Sequence, residues 1–150
     1  MAVQSLTALP WSSLPSSSLH GAAVHFPLAL TVCSALCDAG ALLLGERATA
    51  RSLHDAGRWT ILLAAGGSLV AVASGLLLTR GEMLGNGALR QHHLFVWPAF
   101  ALLAGLATFR CLAGDPAPGR ARFVYPLFAA AAAALMLGAG FWGGELMTAA

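Results

Sequence analysis

Residues 59–79 read WTILLAAGGSLVAVASGLLLT, a stretch without a single Asp, Glu, Lys or Arg. A helix needs about 20 mostly apolar residues to cross the roughly 30 Å hydrocarbon core of a bilayer. Three further stretches have the same character, near residues 22–44, 93–113 and 124–142. A helix satisfies its backbone hydrogen bonds internally, as lipid requires. The sequence therefore predicts four transmembrane helices.

The composition of the whole chain agrees with this prediction. Apolar residues make up 58% of the chain and charged residues 9%, whereas about a quarter of the residues of a soluble domain are charged. Short connections favour antiparallel neighbours, so we expect residues 1–150 to form one all-α integral membrane domain, an up-down-up-down four-helix bundle. The sequence contains no nucleotide-binding loop, nucleophile triad or basic nucleic-acid patch, and hydrolases and nucleic-acid-binding proteins are therefore disfavoured.

The arginines predict the orientation of the chain in the membrane. Six of the eight arginines lie in or beside the first and third connections: Arg47, Arg51, Arg58, Arg110, Arg120 and Arg122. The other two, Arg80 and Arg90, lie in the middle connection. Cytoplasmic loops are enriched in positive charge. We therefore expect a multi-pass protein of the bacterial inner membrane, with both termini and the middle connection outside the cytoplasm.

Ionisable side chains gather at the predicted outer ends of the helices. His20 and His25 open the first helix, His92 and His93 open the third, and Glu145 closes the fourth. Ionisable groups within a membrane bundle are expensive and usually functional. We predict that His25 and His93, which lie deeper, bind a haem or a metal ion. His20 and His92 are further candidate ligands, with an interfacial role as their alternative.

Neutral imidazole is a common ligand of haem iron. We expect haem b to lie between His25 and one of the two histidines of the third helix, with quinone as a possible second cofactor. Arg80 or Arg90 would pair with the haem propionates, and Glu145 would handle protons. These residues predict a small electron-transfer subunit, not an enzyme by itself, that links a periplasmic redox partner to the quinone pool.

Two other functions fit the same residues. The chain could be a non-enzymatic structural subunit whose polar mouth docks onto a larger membrane complex. It could also bind or transport a metal ion through His25 and His93, because imidazole suits several transition metals. In either case Glu145 could instead form a structural ion pair with Arg80 or Arg90.

A proline suggests how His25 could be oriented. If the first helix runs through Pro27, the carbonyl near Ala23 loses its backbone donor. That oxygen would then be available to an imidazole N–H of His25 and would orient the ring for ligation.

Two polar residues do not belong to the predicted outer cluster. Asp38 lies about 20 Å along the first helix from His25, at 1.5 Å per residue. We expect it to pair with Arg110 or a nearby loop arginine, with a place on a proton path as the alternative. His54 falls in the arginine-rich first connection and is expected to be solvated.

Three segments together resemble a known family. They are Val24–Leu30 (VHFPLAL) preceded by His20, the histidine pair His92 and His93, and Gly143–Leu146 (GGEL). This pattern resembles an uncharacterised bacterial family of predicted four-helix membrane proteins, domain of unknown function 2231. The chain departs from it at Gly21, where the family usually has proline. The resemblance implies a four-helix membrane fold, constraint on these residues and a redox role.

Overall fold

The computed structural model describes residues 16–45, 47–113 and 120–148. Within these ranges the chain forms four long helices: α1 (Ser16–Leu44), α2 (Ala48–Leu78), α3 (Gly87–Ala113) and α4 (Ala121–Thr148). Each helix contains a segment that is long and apolar enough to cross a membrane. The predicted all-α membrane bundle is therefore confirmed.

The helices extend beyond the apolar stretches from which they were predicted. The predicted C-terminal ends of α1 and α3 match the structure, but every helix begins earlier than expected, and α2 begins at Ala48 instead of residue 59. Hydropathy detects the part of a helix that lies in lipid, whereas a nucleated helix continues into polar surroundings because each further residue adds a backbone hydrogen bond. Arg51, His54 and Arg58 consequently lie on α2 and not in a connection.

The four helices form a closed ring of antiparallel neighbours. The most extensive packing joins α1 to α2 and α3 to α4, and contacts of α1 with α4 and of α2 with α3 close the ring. The short turn between α1 and α2 uses Gly45, whose φ of 65° suits glycine. Since α1 and α3 share little packing, they lie across the ring from each other.

The middle of the bundle is filled by aliphatic side chains, many of them alanine. The buried residues at its centre include Ile61, Ala64, Leu103, Leu106, Ala129 and Ala132. Small side chains let helix backbones approach closely, which supplies van der Waals packing between helices in lipid. Large aliphatic side chains point outwards, such as Leu43 at 88% and Leu77 at 82% exposure. Such an outer surface suits contact with lipid.

A polar layer lies on each side of this aliphatic core. We call one the histidine end, with His20, Ser74, His92 and the Ala139 carbonyl, and the other the aspartate end, with Asp38, His54, Arg110 and Tyr125. In α1, α2 and α3 the two layers are 18 to 20 residues apart, about 27–30 Å of helix. The hydrocarbon core of a bilayer has nearly the same thickness, roughly 30 Å.

Candidate functional site

His20 on α1 makes a hydrogen bond that determines which ring nitrogen carries the proton. Its Nδ1 lies 2.7 Å from Ser74 Oγ, and Ser74 donates its hydroxyl proton to the Ala71 carbonyl at 2.9 Å. Because a serine hydroxyl has a single proton, Ser74 Oγ accepts from His20, and Nδ1 carries the hydrogen. In the neutral ring Nε2 keeps its lone pair, so Nε2 is the atom available to a ligand.

His92 on α3 has the same arrangement with a different acceptor. Its Nδ1 lies 2.8 Å from the Ala139 carbonyl of α4. A carbonyl oxygen can only accept, so His92 Nδ1 donates and Nε2 again keeps the lone pair. Histidines that bind metals usually donate their other ring N–H to an oxygen in this way, which fixes both the tautomer and the ring orientation.

The two histidines lie at the same end of the bundle, although α1 and α3 are on opposite sides of the ring. His20 contacts α2 through Ser74, and His92 contacts α4 through the Ala139 carbonyl. Gly75 provides room for the first ring, because a Cβ there would lie 3.1 Å from His20 Cε1. Gly143 of the GGEL segment lies against the His92 ring, and a Cβ there would make an ordinary contact of 3.4 Å with His92 Cε1.

His25 lies apart from this pair. Its side chain is exposed, and its Nδ1 donates to the Gly21 carbonyl one turn earlier, at 2.5 Å. The helix does run through Pro27, but the acceptor that His25 uses is not the carbonyl near Ala23 that proline leaves without a donor. The role predicted for His25 in ligation stays a prediction, and the geometry favours His20 and His92 for the same role.

His93 is buried beside the pair. Its ring is 6% exposed and its centroid lies 5.8 Å from that of His92. On its other side it neighbours Trp97, whose indole N–H donates to the Met83 carbonyl at 2.7 Å. His93 Nδ1 has no hydrogen-bond partner among the residues that the structure describes.

The charged candidates surround the histidine end without pairing. Arg80, Arg90 and Glu145 are all exposed. In the described ranges no ion pair joins Glu145 to either arginine, so the alternative of a structural ion pair is not observed. Within residues 16–45, 47–113 and 120–148, no group of three or more His, Cys, Asp or Glu side chains is arranged to hold a metal ion. The predicted metal site at His25 and His93 is not visible as such a group.

The aspartate end contains an ion pair that crosses the bundle. Arg110 donates from Nη2 to Asp38 Oδ1, and both residues are 1% exposed. The expected pairing of Asp38 with Arg110 is thus confirmed. The Arg110 guanidinium also lies over the ring of Tyr125, 4.4 Å from its centroid, and Tyr125 stacks on Phe109. The ion pair and Tyr125 together link α1, α3 and α4.

His54 connects α2 to the same cluster, and the expectation that it is solvated in a connection was wrong. Its side chain is only 18% exposed, and its Nδ1 lies 3.6 Å from Asp38 Oδ1. One turn further along α2, Gly57 allows this approach, because a Cβ there would lie 2.9 Å from the same oxygen. The Gly57 carbonyl accepts a hydrogen bond of 2.9 Å from Ser34.

Sequence reasoning missed Tyr125, Ser34 and the contribution of His54. A usable signal was the single charge within each of two predicted apolar stretches, Asp38 in residues 22–44 and Arg110 in residues 93–113. Two opposite buried charges require further polar neighbours, since a buried ion pair is stable only when its geometry is supported. No comparable signal in the sequence marks Tyr125.

Comparison of the sequence with known protein families identifies the family of this chain. The family model described as a predicted membrane protein (DUF2231) matches residues 16–150. No curated protein and no solved structure matched the chain. The match covers all four helices and both polar ends, and the chain therefore belongs to the family of membrane proteins called domain of unknown function 2231.

Proposed function

We propose that this protein is a small membrane electron-transfer subunit that binds haem b at its histidine end. One observation carries the proposal: the Nδ1 atoms of His20 and His92 each lie within hydrogen-bond distance of an oxygen, at 2.7 Å and 2.8 Å. We assign the proton to Nδ1 from these contacts, which leaves Nε2 as the basic nitrogen. A histidine that holds haem iron would need this tautomer, because Nε2 must offer a lone pair to the metal. His20 and His92 come from different helices, and both would hold the haem, which would supply one-electron chemistry when bound.

The surroundings of the pair fit the same proposal. Gly75 keeps side-chain bulk away from the His20 ring. The exposed Arg80 and Arg90 lie at the same end of the bundle and would pair with the propionates, and Glu145 would exchange protons there. Bound haem would supply the one-electron chemistry, whereas the chain holds the imidazoles in place and excludes water through its aliphatic core.

Location and partners belong to the same proposal. The excess of arginine near the aspartate end supports an inner-membrane protein whose histidine end and termini lie outside the cytoplasm. The histidine end would then receive electrons from a periplasmic redox protein and exchange them with the quinone pool. Labelling of Glu82→Cys, but not of Arg120→Cys, by an impermeant maleimide on intact cells would support this orientation, and the reverse result would overturn it.

An absorption spectrum of the purified protein tests the haem proposal. We expect a Soret band that shifts on reduction in the wild type, and its loss in His20→Ala and in His92→Ala. His25→Ala distinguishes the observed pair from the pair predicted from sequence, and we expect it to keep the band. His54→Ala, at the opposite end, is the matched control for removing a histidine. A wild type without a Soret band, or a full band in both His20→Ala and His92→Ala, would overturn the proposal.

A metal-ion site is the second candidate function, and His93 favours it. Its buried Nδ1 lacks a partner in the described part of the chain and its ring neighbours His92. With His20, these rings offer imidazole nitrogens to a transition metal such as copper or zinc. Elemental analysis of protein that shows no Soret band separates this candidate from the haem proposal.

A docking role is the third candidate, and the unpaired charges favour it. Arg80, Arg90 and Glu145 are exposed around the histidine end, where they could contact a larger membrane complex. Affinity purification from mild detergent tests this role. A chain that purifies alone, with stoichiometric haem, would argue against a purely structural subunit.

A further inference from the structure

We propose that the aspartate end is a proton-binding site, in which Asp38 takes up a proton that reaches it through His54 from the adjoining aqueous phase. This site is separate from the histidine end, from which it is about 27 Å distant along α1 at 1.5 Å per residue. It holds whether or not the protein binds haem.

The first observation is the uneven use of the two Asp38 oxygens. Oδ1 accepts from Arg110 and faces His54 Nδ1 at 3.6 Å. Oδ2 is buried and has no hydrogen-bond partner among the residues that the structure describes. A guanidinium and a carboxylate that serve only as a clamp commonly form two parallel hydrogen bonds that use both oxygens. Here one oxygen of a buried carboxylate is left bare, which is unfavourable as long as the group stays ionised.

The second observation is that two buried residues with hydroxyl groups, Ser34 and Tyr125, belong to the same end of the bundle as Asp38. Protonation turns a carboxylate oxygen into a donor, which then needs an acceptor. Ser34 lies one helical turn before Asp38, and because its proton goes to the Gly57 carbonyl, its oxygen can only accept. The phenolic oxygen of Tyr125 is also buried in this cluster, and a phenolic oxygen can accept a hydrogen bond. The cluster is therefore suited to hold the neutral acid as well as the carboxylate.

The charged and titratable groups around Asp38 come from all four helices. His54 faces it from α2, Arg110 from α3, Tyr125 from α4, and Cys37 precedes it on α1. The positive charge of Arg110 opposes uptake of a proton by Asp38. However, the Tyr125 ring lies 4.4 Å from the guanidinium carbon, and a cation over an aromatic face is stabilised without a counter-ion. Arg110 thus retains a partner when Asp38 becomes neutral.

The third observation is that His54 is more exposed than the carboxylate it faces. Its side chain is 18% exposed, whereas that of Asp38 is 2% exposed. An imidazole can take a proton on one ring nitrogen and release one from the other. In the transfer, His54 gains a proton from water on Nε2 and, once the 3.6 Å gap closes to hydrogen-bond distance, passes one from Nδ1 to Asp38 Oδ1. One proton enters, the carboxylate becomes a carboxylic acid and the imidazole ends neutral. A half-turn of the carboxyl group then brings the new O–H to the side of the bare oxygen and returns an unprotonated oxygen to Arg110.

Infrared difference spectroscopy tests the site directly. The purified full-length protein is placed in phosphatidylcholine vesicles and titrated from about pH 8 to about pH 4, across the range in which carboxyl groups with ordinary or raised pKa values titrate. We expect a carboxylic C=O band on acidification that is sensitive to deuterium and absent from Asp38→Asn. Asp55→Asn, which removes an exposed carboxyl from α2, is the matched control and keeps the band.

Two further variants keep the test decisive if Asp38→Asn does not fold. Ser34→Ala removes the acceptor one helical turn before Asp38, so the frequency of the Asp38 band should move while other carboxyl bands stay unchanged. His54→Phe should leave the band at equilibrium but slow its appearance after a pH jump by about 100-fold, the low end of what a positioned proton-transfer group contributes. The absence of any band that responds to Ser34 or Asp38 substitution, in folded protein, would overturn the proposal.

Discussion

The two polar ends of the bundle are built from the same four helices but satisfy their polar atoms in opposite ways. At the histidine end, His20 and His92 each use Nδ1 in a hydrogen bond, and neither Nε2 has a hydrogen-bond partner among the described residues. At the aspartate end, opposite full charges meet in the interior, at 1% exposure. A neutral polar atom left free costs little near the membrane surface, whereas a buried charge must be compensated. The histidine end is thus suited to bind a cofactor, and the aspartate end joins helices and exchanges a proton.

The largest expected effect comes from removing one charge at the aspartate end. Arg110→Met leaves Asp38 buried without its counter-ion, and we expect the free energy of unfolding to fall by about 3–5 kcal/mol. Reversible unfolding in mixed micelles, followed by circular dichroism, measures it. Arg120→Met, which removes an exposed arginine, is the matched control and should change stability by less than about 0.5 kcal/mol.

A double variant distinguishes charge compensation from simple loss of packing. Arg110→Met combined with Asp38→Leu removes both charges, and hydrophobic replacements of a buried ion pair are often neutral or stabilising. We therefore expect it to recover most of the lost stability. If the double variant is as unstable as Arg110→Met alone, the comparison between the two ends is wrong, because packing and not charge would dominate the aspartate end.

The fold could be predicted from sequence because lipid restricts the possible structures so strongly. Uncharged stretches such as residues 59–79 admit little other than a spanning helix. The starts of the helices could not be predicted in the same way, since α2 continues to Ala48 through Arg51 and His54. Hydropathy says nothing about helix that lies outside the hydrocarbon, and this error alone placed His54 in a connection.

The candidate site was predictable only as a group of residues. The sequence predicted which histidines gather at one end. Because His25 lies deeper along α1 than His20, the sequence favoured His25 as the ligand. Depth does not give the direction of a side chain around the helix axis. His20 and His92 face partners on α2 and α4, whereas His25 is exposed. The direction depends on how all four helices pack, which a single sequence does not reveal.

Glycine substitutions on α2 compare the tightness of the two ends. Gly57→Ala would place a Cβ 2.9 Å from Asp38 Oδ1, and Gly75→Ala would place one 3.1 Å from His20 Cε1. Because Asp38 is held by Arg110, it cannot move aside easily, and we expect Gly57→Ala to lower stability by about 2 kcal/mol. Gly75→Ala should have a smaller effect, because the His20 ring can shift by a few tenths of an ångström.

Gly66→Ala is the control for these substitutions, since a Cβ there meets no atom within 4 Å. It should stabilise the helix by up to about 1 kcal/mol, the difference in helix propensity between alanine and glycine. Mixed-micelle unfolding of the three variants gives the order Gly66→Ala, Gly75→Ala, Gly57→Ala from most to least stable. An inverted order of the last two would show that the histidine end is the more rigid.

Removal of the Ser74 hydroxyl sharpens the assignment of the histidine end. Ser74→Ala takes away the acceptor that fixes His20, and loss of such a supporting group typically weakens metal or haem binding by about 10-fold or more. Ser68→Ala is matched, because Ser68 makes the same type of bond to its own helix, at 2.7 Å to the Ala65 carbonyl. Haem titration of both proteins measures the difference. Equal affinities would contradict the assignment of His20 as a ligand.

The smallest expected effect on stability comes from Tyr125. Two variants distinguish the contribution of its aromatic ring from that of its hydroxyl group. Tyr125→Phe keeps the aromatic face under Arg110 and the stack on Phe109, so we expect stability to change by less than about 0.5 kcal/mol. Tyr125→Leu removes the face, and a cation–π contact of this kind is worth about 0.5–2 kcal/mol. Micelle unfolding of the two variants should therefore rank leucine below phenylalanine. If phenylalanine were as destabilising as leucine, the hydroxyl and not the ring would hold Arg110, and the guanidinium would lose the support that lets Asp38 become neutral.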